Sequence, residues 1–181
     1  MPIVAQIEQA LFQLAPKDLA FDWDNVGHLE GSPDQEVQRV LVALDVTENV
    51  VSEAEKLGCQ LIVSHHPLMN VRWHQAEMQT LRPNRYLGRL LRRLVKADIS
   101  VISMHTNLDI APGGVNDALA AGYTDEAGDV YYYLFHSYYG QKDKDAAFLI
   151  KAKDALLAGI EKFPKNEKIL DGLMQLYTSE E

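Results

Sequence analysis

Apolar positions Ile3, Ile7, Ala10, Leu11 and Leu14 recur at helical spacing, and Pro16 closes the run. The pattern predicts an amphipathic first helix with one face covering a sheet. Arg39-Val-Leu-Val-Ala-Leu-Asp45 is a short β-branched and apolar run. Thr47-Glu48 after it suits an N-cap and first turn of a helix reaching Gly58. Gln60–Ser64 reads as a second buried strand, residues 84–97 as a helix, and Ile99–Met104 as a third strand. A further helix opens near Gly113-Gly114. Strand and helix alternate, which predicts an α/β unit: a mostly parallel sheet with flanking helices.

The pattern changes near residue 122. All seven arginines precede it, seven of the eight tyrosines follow it, and the remainder is helical in period. We therefore expect two parts: an α/β domain over residues 1–121 and an all-α helical appendage over 122–181. In the second part Tyr131, Leu134, Tyr138, Ala147, Ala152, Ala155, Leu156, Ile160 and Pro164 are placed like a tetratricopeptide-type hairpin with a lengthened second helix. Ile169, Leu170, Leu173, Leu176 and Tyr177 then look like a repeat that begins and stops. A basic stripe, Arg85, Arg89, Arg92, Arg93 and Lys96, is cheaper to explain as the solvated face of a sheet-covering helix than as an anion grip.

A net charge of -9 lacks the basic face that displaces counterions from a phosphate backbone, so nucleic acid is not the expected partner. Cys59 is the single cysteine and sits beside Leu61-Ile62-Val63, which suits a small buried side chain. The first residues carry no leader-like pattern and no window resembles a membrane span, so a cytoplasmic location with no membrane partner is expected.

Ligands of open parallel sheets bind beyond the carboxyl ends of the strands. There the chain places His65-His66-Pro67 after the second strand, His105 and Asp109 after the third, and Asp45 after the first. Adjacent histidines leaving a strand diverge, so the pair hints at two ions rather than one. Imidazole and carboxylate donors without a thiolate suit zinc, iron or manganese rather than a cysteine-rich structural site. For His28, His74 and His136 an ordinary loop or capping role is the simpler reading. Phosphate-loop, H-E-x-x-H, G-x-S-x-G and G-x-G-x-x-G signatures are absent.

Four segments now carry a resemblance: Trp23-Asp-Asn-Val-Gly27, Asp45-Val-Thr-Glu-Asn49, Leu61-Ile-Val-Ser-His-His-Pro67 and His105–Ala118. In this order they resemble the N-terminal half of the dinuclear-metal-centre family of GTP cyclohydrolase type-two homologues, also called Ngg-interacting-factor-three-like proteins. The resemblance runs to about residue 121. It implies an α/β fold, a ring-shaped homohexamer and up to two divalent metal ions facing an internal cavity. His66 and Asp109 would bind one ion and His65 the other, with His105 handling protons or supporting a ligand as the catalytic candidate.

The chain departs from that family in its last third. The family closes its site with a histidine and, four residues later, a bridging glutamate. Here the late histidine is His136 and position 140 is glycine, and position 28 would be apolar in the family. A shared anion that screens two cations is thus missing, and an incomplete, weakened dinuclear site is expected. The resemblance implies a metal-dependent, GTP cyclohydrolase-like hydrolase acting on a nucleotide or related small molecule. The alternative is a non-catalytic interaction module whose helical tail docks a protein partner.

Overall fold

In a computed structural model of the chain, residues 1–69, 81–122, 128–143 and 146–178 are described. His74 lies outside them. The chain forms two compact units, Met1–Leu108 and Asp109–Glu181.

In the first unit, helix α1 (Val4–Leu14) is followed by β1 (Gly27–Glu30), β2 (Val40–Ala43), α2 (Glu48–Leu57), β3 (Leu61–Ser64), α3 (Tyr86–Ala97) and β4 (Ser100–Ser103). The strands form one sheet in the order β1-β4-β3-β2. β2 and β4 both run parallel to β3, and β1 pairs antiparallel with β4. The sheet is therefore mostly parallel, as the alternating pattern predicts.

Local chemistry explains the clearest boundaries. Thr47 caps α2 by accepting the backbone N–H of Val50, and Gly58 ends it in the left-handed region at φ 65°. The parallel strands β3 and β4 are short and β-branched or apolar because their faces are covered, whereas β2 buries only one face and leaves Val40 and Val42 exposed. On one face, Leu41, Ile62 and Val101 meet Val51, Ala54, Leu90 and Leu94 from α2 and α3, with Cys59 buried beside them. Cys59 is a core residue here.

The basic stripe of α3 is answered by α2. Arg93 binds the Glu55 carboxylate, the Ser52 hydroxyl at 2.9 Å and the Glu48 carbonyl at 3.1 Å, and Arg89 reaches the Glu48 carboxylate at 3.3 Å. These pairs tie two sheet-covering helices together and favour the solvated-face explanation over an anion grip.

β1 carries an unusual carboxyl. Burial, and then the Asp98 carboxylate, push Glu30 from an ordinary 4.5 up to about 7, and its buried Oε2 has no hydrogen-bond partner. Between pH 4.5 and about 7 the folded chain keeps a proton that the unfolded chain gives up, so stability falls as pH rises through that window. Glu30→Gln is expected to flatten this slope and raise stability above pH 7 by roughly 1–2 kcal/mol, discounted for partial exposure. Melting temperatures of the two proteins at acidic and neutral pH check this; parallel curves would contradict it.

The second unit holds α5 (Val115–Gly122), α6 (Asp129–Tyr139), α7 (Ala146–Lys162) and α8 (Glu167–Thr178), with the short α4 (Thr106–Ile110) spanning its start. The 17 residues of α7 make the long second helix of the hairpin. The third helix closes that hairpin: Phe135, Leu156, Ile169 and Leu176 are fully buried. A cleft of about 290 Å3 in this unit is lined by residues including Asp117, Tyr138, Lys151 and Asp154. Burial, with Asp117 beside it, pushes the Tyr138 hydroxyl up to about 12. No helix of the described residues is long and apolar enough to cross a membrane.

Candidate metal centre

The end of β3 is pinned before its histidines begin. The buried hydroxyls of Ser64 and Ser103 lie 2.8 Å apart, and Ser64 donates to the His66 carbonyl at 3.0 Å. The backbone N–H of His65 and that of His66 donate to the carbonyls of Ala43 and Leu44. This fixes the direction in which both imidazoles leave the sheet.

His105 is held from the other side. Its N–H donates to the Asn107 side-chain oxygen at 3.0 Å, and the fully buried Asn107 donates to the Ala15 carbonyl at 2.8 Å. Trp23 stands edge-on to the His105 ring at 6.3 Å.

The three rings converge. Centroid separations are 5.0 Å for His65–His66, 5.1 Å for His65–His105 and 5.6 Å for His66–His105. Each ring offers a nitrogen within 4.8 Å of the other two, which makes a donor group for a metal ion. His105, expected as a proton-handling group, is thus placed among the ligand candidates. Asp109 lies in α4, half-buried, and begins the second unit. His28 is on β1 with Nε2 2.7 Å from the Glu30 carbonyl, and His136 is in α6 against Tyr132 and Phe135. Burial pulls the His136 imidazole below its ordinary range.

The outer partners of the three rings decide which nitrogen is the donor. Nδ1 of His66 lies 2.7 Å from the Asp45 carboxylate, Nδ1 of His105 lies 2.9 Å from Asp24, and Nδ1 of His65 lies 3.0 Å from the Met104 carbonyl. An oxygen at Nδ1 places the proton of a neutral ring there and leaves the lone pair on Nε2. Such carboxylate and carbonyl partners orient metal-binding imidazoles and raise their basicity.

Asp24 does not stand out in the sequence as a site residue. Its side chain is 0% exposed, and it accepts hydrogen bonds from His105, the Thr106 hydroxyl and the backbone N–H groups of Thr106 and Asn25. Burial alone would raise its pKa, but the hydrogen bonds from His105, Thr106 and Asn25 hold it below the usual value. The Trp23-Asp24-Asn25 segment was the one signal that could have found it.

Residues 2–127 match the model of the family described as Duf34/NIF3 (NGG1p interacting factor 3). A Streptomyces coelicolor protein named GTP cyclohydrolase 1 type 2 homolog is 42% identical over 120 residues, 66% of this chain and 40% of that relative. A Halalkalibacterium halodurans protein of the same name is 42% identical over 106 residues, 59% of this chain and 27% of the relative. Among solved structures, a Bacillus cereus protein related to NIF3 aligns with TM-score 0.61 and 37% identity, covering 67% of this chain and 32% of its own. A Staphylococcus aureus protein aligns with TM-score 0.60 and 44% identity, covering 66% and 38%. The chain thus spans between about a quarter and two fifths of the length of these relatives. By the extent of the matched segment, this chain belongs to the Duf34/NIF3 family.

Proposed function

We propose that this chain binds a divalent metal ion through His65, His66 and His105 and uses it for hydrolysis of a nucleotide or a related ring or ester bond. The observation that carries the reading is the convergence of the three rings, each with a nitrogen within 4.8 Å of the other two, together with an oxygen partner at every Nδ1 that leaves the lone pair of a neutral ring on Nε2. Three imidazoles fit zinc, iron or manganese, and a three-histidine set is a known catalytic zinc arrangement.

When bound, such an ion lowers the pKa of a coordinated water and supplies hydroxide near neutral pH. The chain's residues do the rest. Asp24 fixes the tautomer and direction of His105, and Asp45 does the same for His66. Trp23 stands edge-on beside His105, while His66, 45% exposed, marks the side open to a substrate. The nucleotide substrate rests on the names of the relatives, and assembly into a ring on the family resemblance alone. Asp109 enters as a further ligand on its motif alone.

Elemental analysis of purified protein tests the reading, paired with alanine at His65, His66, His105 and Asp109 in turn. Each histidine variant is expected to lose at least tenfold in metal affinity, with nucleotide turnover falling in step. Metal content unchanged in the three histidine variants would sink the proposal, and metal retained without turnover would leave binding but remove hydrolysis.

A further inference from the structure

The cleft of the helical unit gathers both signs of charge around an apolar wall. Pro112, Leu134 and Ala155 form that wall, the last two buried, and the space is about 290 Å3. Pockets that enclose drug-sized ligands begin at about this volume, so the cleft suits a molecule of roughly amino-acid size. Asp117 comes to it from α5, Tyr138 from α6, and Lys151 and Asp154 from α7.

Asp117 is set in place by the protein itself. Its Oδ2 accepts the Gly113 N–H at 2.7 Å and its Oδ1 accepts the Tyr138 hydroxyl at 3.2 Å. Each oxygen keeps a further lone pair for a ligand donor. Lys151 and Asp154 differ from it. Both are exposed, and among the described residues neither joins an ion pair, with the other or elsewhere. The Lys151 ammonium instead lies 5.6 Å from the centre of the Tyr138 ring and 5.4 Å from that of Phe148. Lys168 of the same unit supplies the contrast, held by the Asp129 carboxylate at 2.6 Å. Three positions apart on a helix, Lys151 and Asp154 are neighbours on one face, with Cβ atoms about 5–6 Å apart.

We infer that this cleft binds a free α-amino acid with an apolar side chain. The ammonium group goes to Asp154 and Asp117, the carboxylate to Lys151, and the side chain to Leu134, Ala155 and Pro112. A cation alone would leave the Lys151 ammonium beside it, and an anion alone would face two carboxylates. A ligand that carries both charges on one carbon answers all three groups. This binding needs no metal ion at the histidine cluster.

Equilibrium dialysis of the full chain against L-leucine tests the site, with two analogues measured alongside. Leucinamide keeps the ammonium but lacks the carboxylate, and isocaproate keeps the carboxylate but lacks the ammonium. Leucine should bind, and both analogues should bind at least tenfold more weakly. Asp154→Asn and Lys151→Gln should each lower leucine affinity at least tenfold, the loss that a hydrogen bond between charged groups carries. Both positions are exposed, so neither change opens the core. No binding of leucine at millimolar concentration, an analogue that binds as well as leucine, or undiminished leucine affinity in either variant would each overturn the inference.

Discussion

Asp24→Ala is expected to lower stability by about 3 kcal/mol, because it strands several buried donors at once. The backbone N–H of Thr106 and that of Asn25, the Thr106 hydroxyl and Nδ1 of His105 all end on this one carboxylate. Alanine supplies no acceptor, and the 0% exposure of the side chain leaves water little access. Asp24→Asn separates the structural part from the chemical part. It keeps the shape, yet whichever way the amide turns, its NH2 meets a donor that needs an oxygen. Where the NH2 faces His105, the ring proton moves to Nε2 and the lone pair is lost to a ligand. The asparagine variant is therefore expected to stay folded and to lose about 10- to 100-fold in metal affinity. Chemical denaturation and zinc titration read the two effects. An asparagine variant with undiminished metal affinity would show that Asp24 holds the loop without preparing His105.

The sequence exposes the parts of this molecule whose causes are local. Thr47 and Gly58 bracket α2 because a side-chain cap and a left-handed terminus are properties of those residues. β3 and β4 are legible as apolar runs because covered parallel strands need such residues on both faces, and β2 is legible by its β-branched and apolar run alone. His65, His66 and His105 stand out because each follows a strand end, where a parallel sheet collects its ligands. The helices of the second unit show through their apolar stripes, although the closing of the hairpin by α8 depends on burial of Ile169 and Leu176 that no short window reveals.

What stayed hidden is made by distant partners. Gly27-His-Leu-Glu30 has neither an apolar run nor clean alternation, and it becomes β1 by pairing with β4 some seventy residues later. Asp24 sits in a loop, and its meaning appears only when His105 and Thr106 arrive beside it from 81 and 82 positions away. Asp45 was visible as a spare carboxylate, but its bond to Nδ1 of His66 is a consequence of β2 lying next to β3. The stripe on α3 was ambiguous in sequence because Arg89 and Arg93 find Glu48 and Glu55 across a helix pair, 41 and 38 positions away.

Gly31→Ala is the second large effect expected, and here two causes can be told apart. Gly31 leaves β1 at φ +99°, a conformation that L side chains rarely adopt. A Cβ there would also run into Ser100, reaching within 2.7 Å of its Cα. Ser100 has no room to yield: it is fully buried, its main chain is in β4 opposite Leu61, and its hydroxyl donates to Gln35 at 2.6 Å. Strain and overlap together should cost about 3 kcal/mol or more. Gly58 supplies the contrast, since its φ is +65° and a Cβ would meet nothing within 4 Å. Gly58→Ala should therefore show the conformational cost alone, about 1 kcal/mol. Adding Ser100→Gly to Gly31→Ala removes the obstructing side chain but leaves the backbone strain, so it should relieve part of the overlap that Gly31→Ala creates. Denaturation of the Gly31 and Gly58 variants side by side decides the matter. Equal losses would mean that β1 lifts away from β4 easily, and that the antiparallel edge of the sheet contributes little to holding the strand that leads to His105.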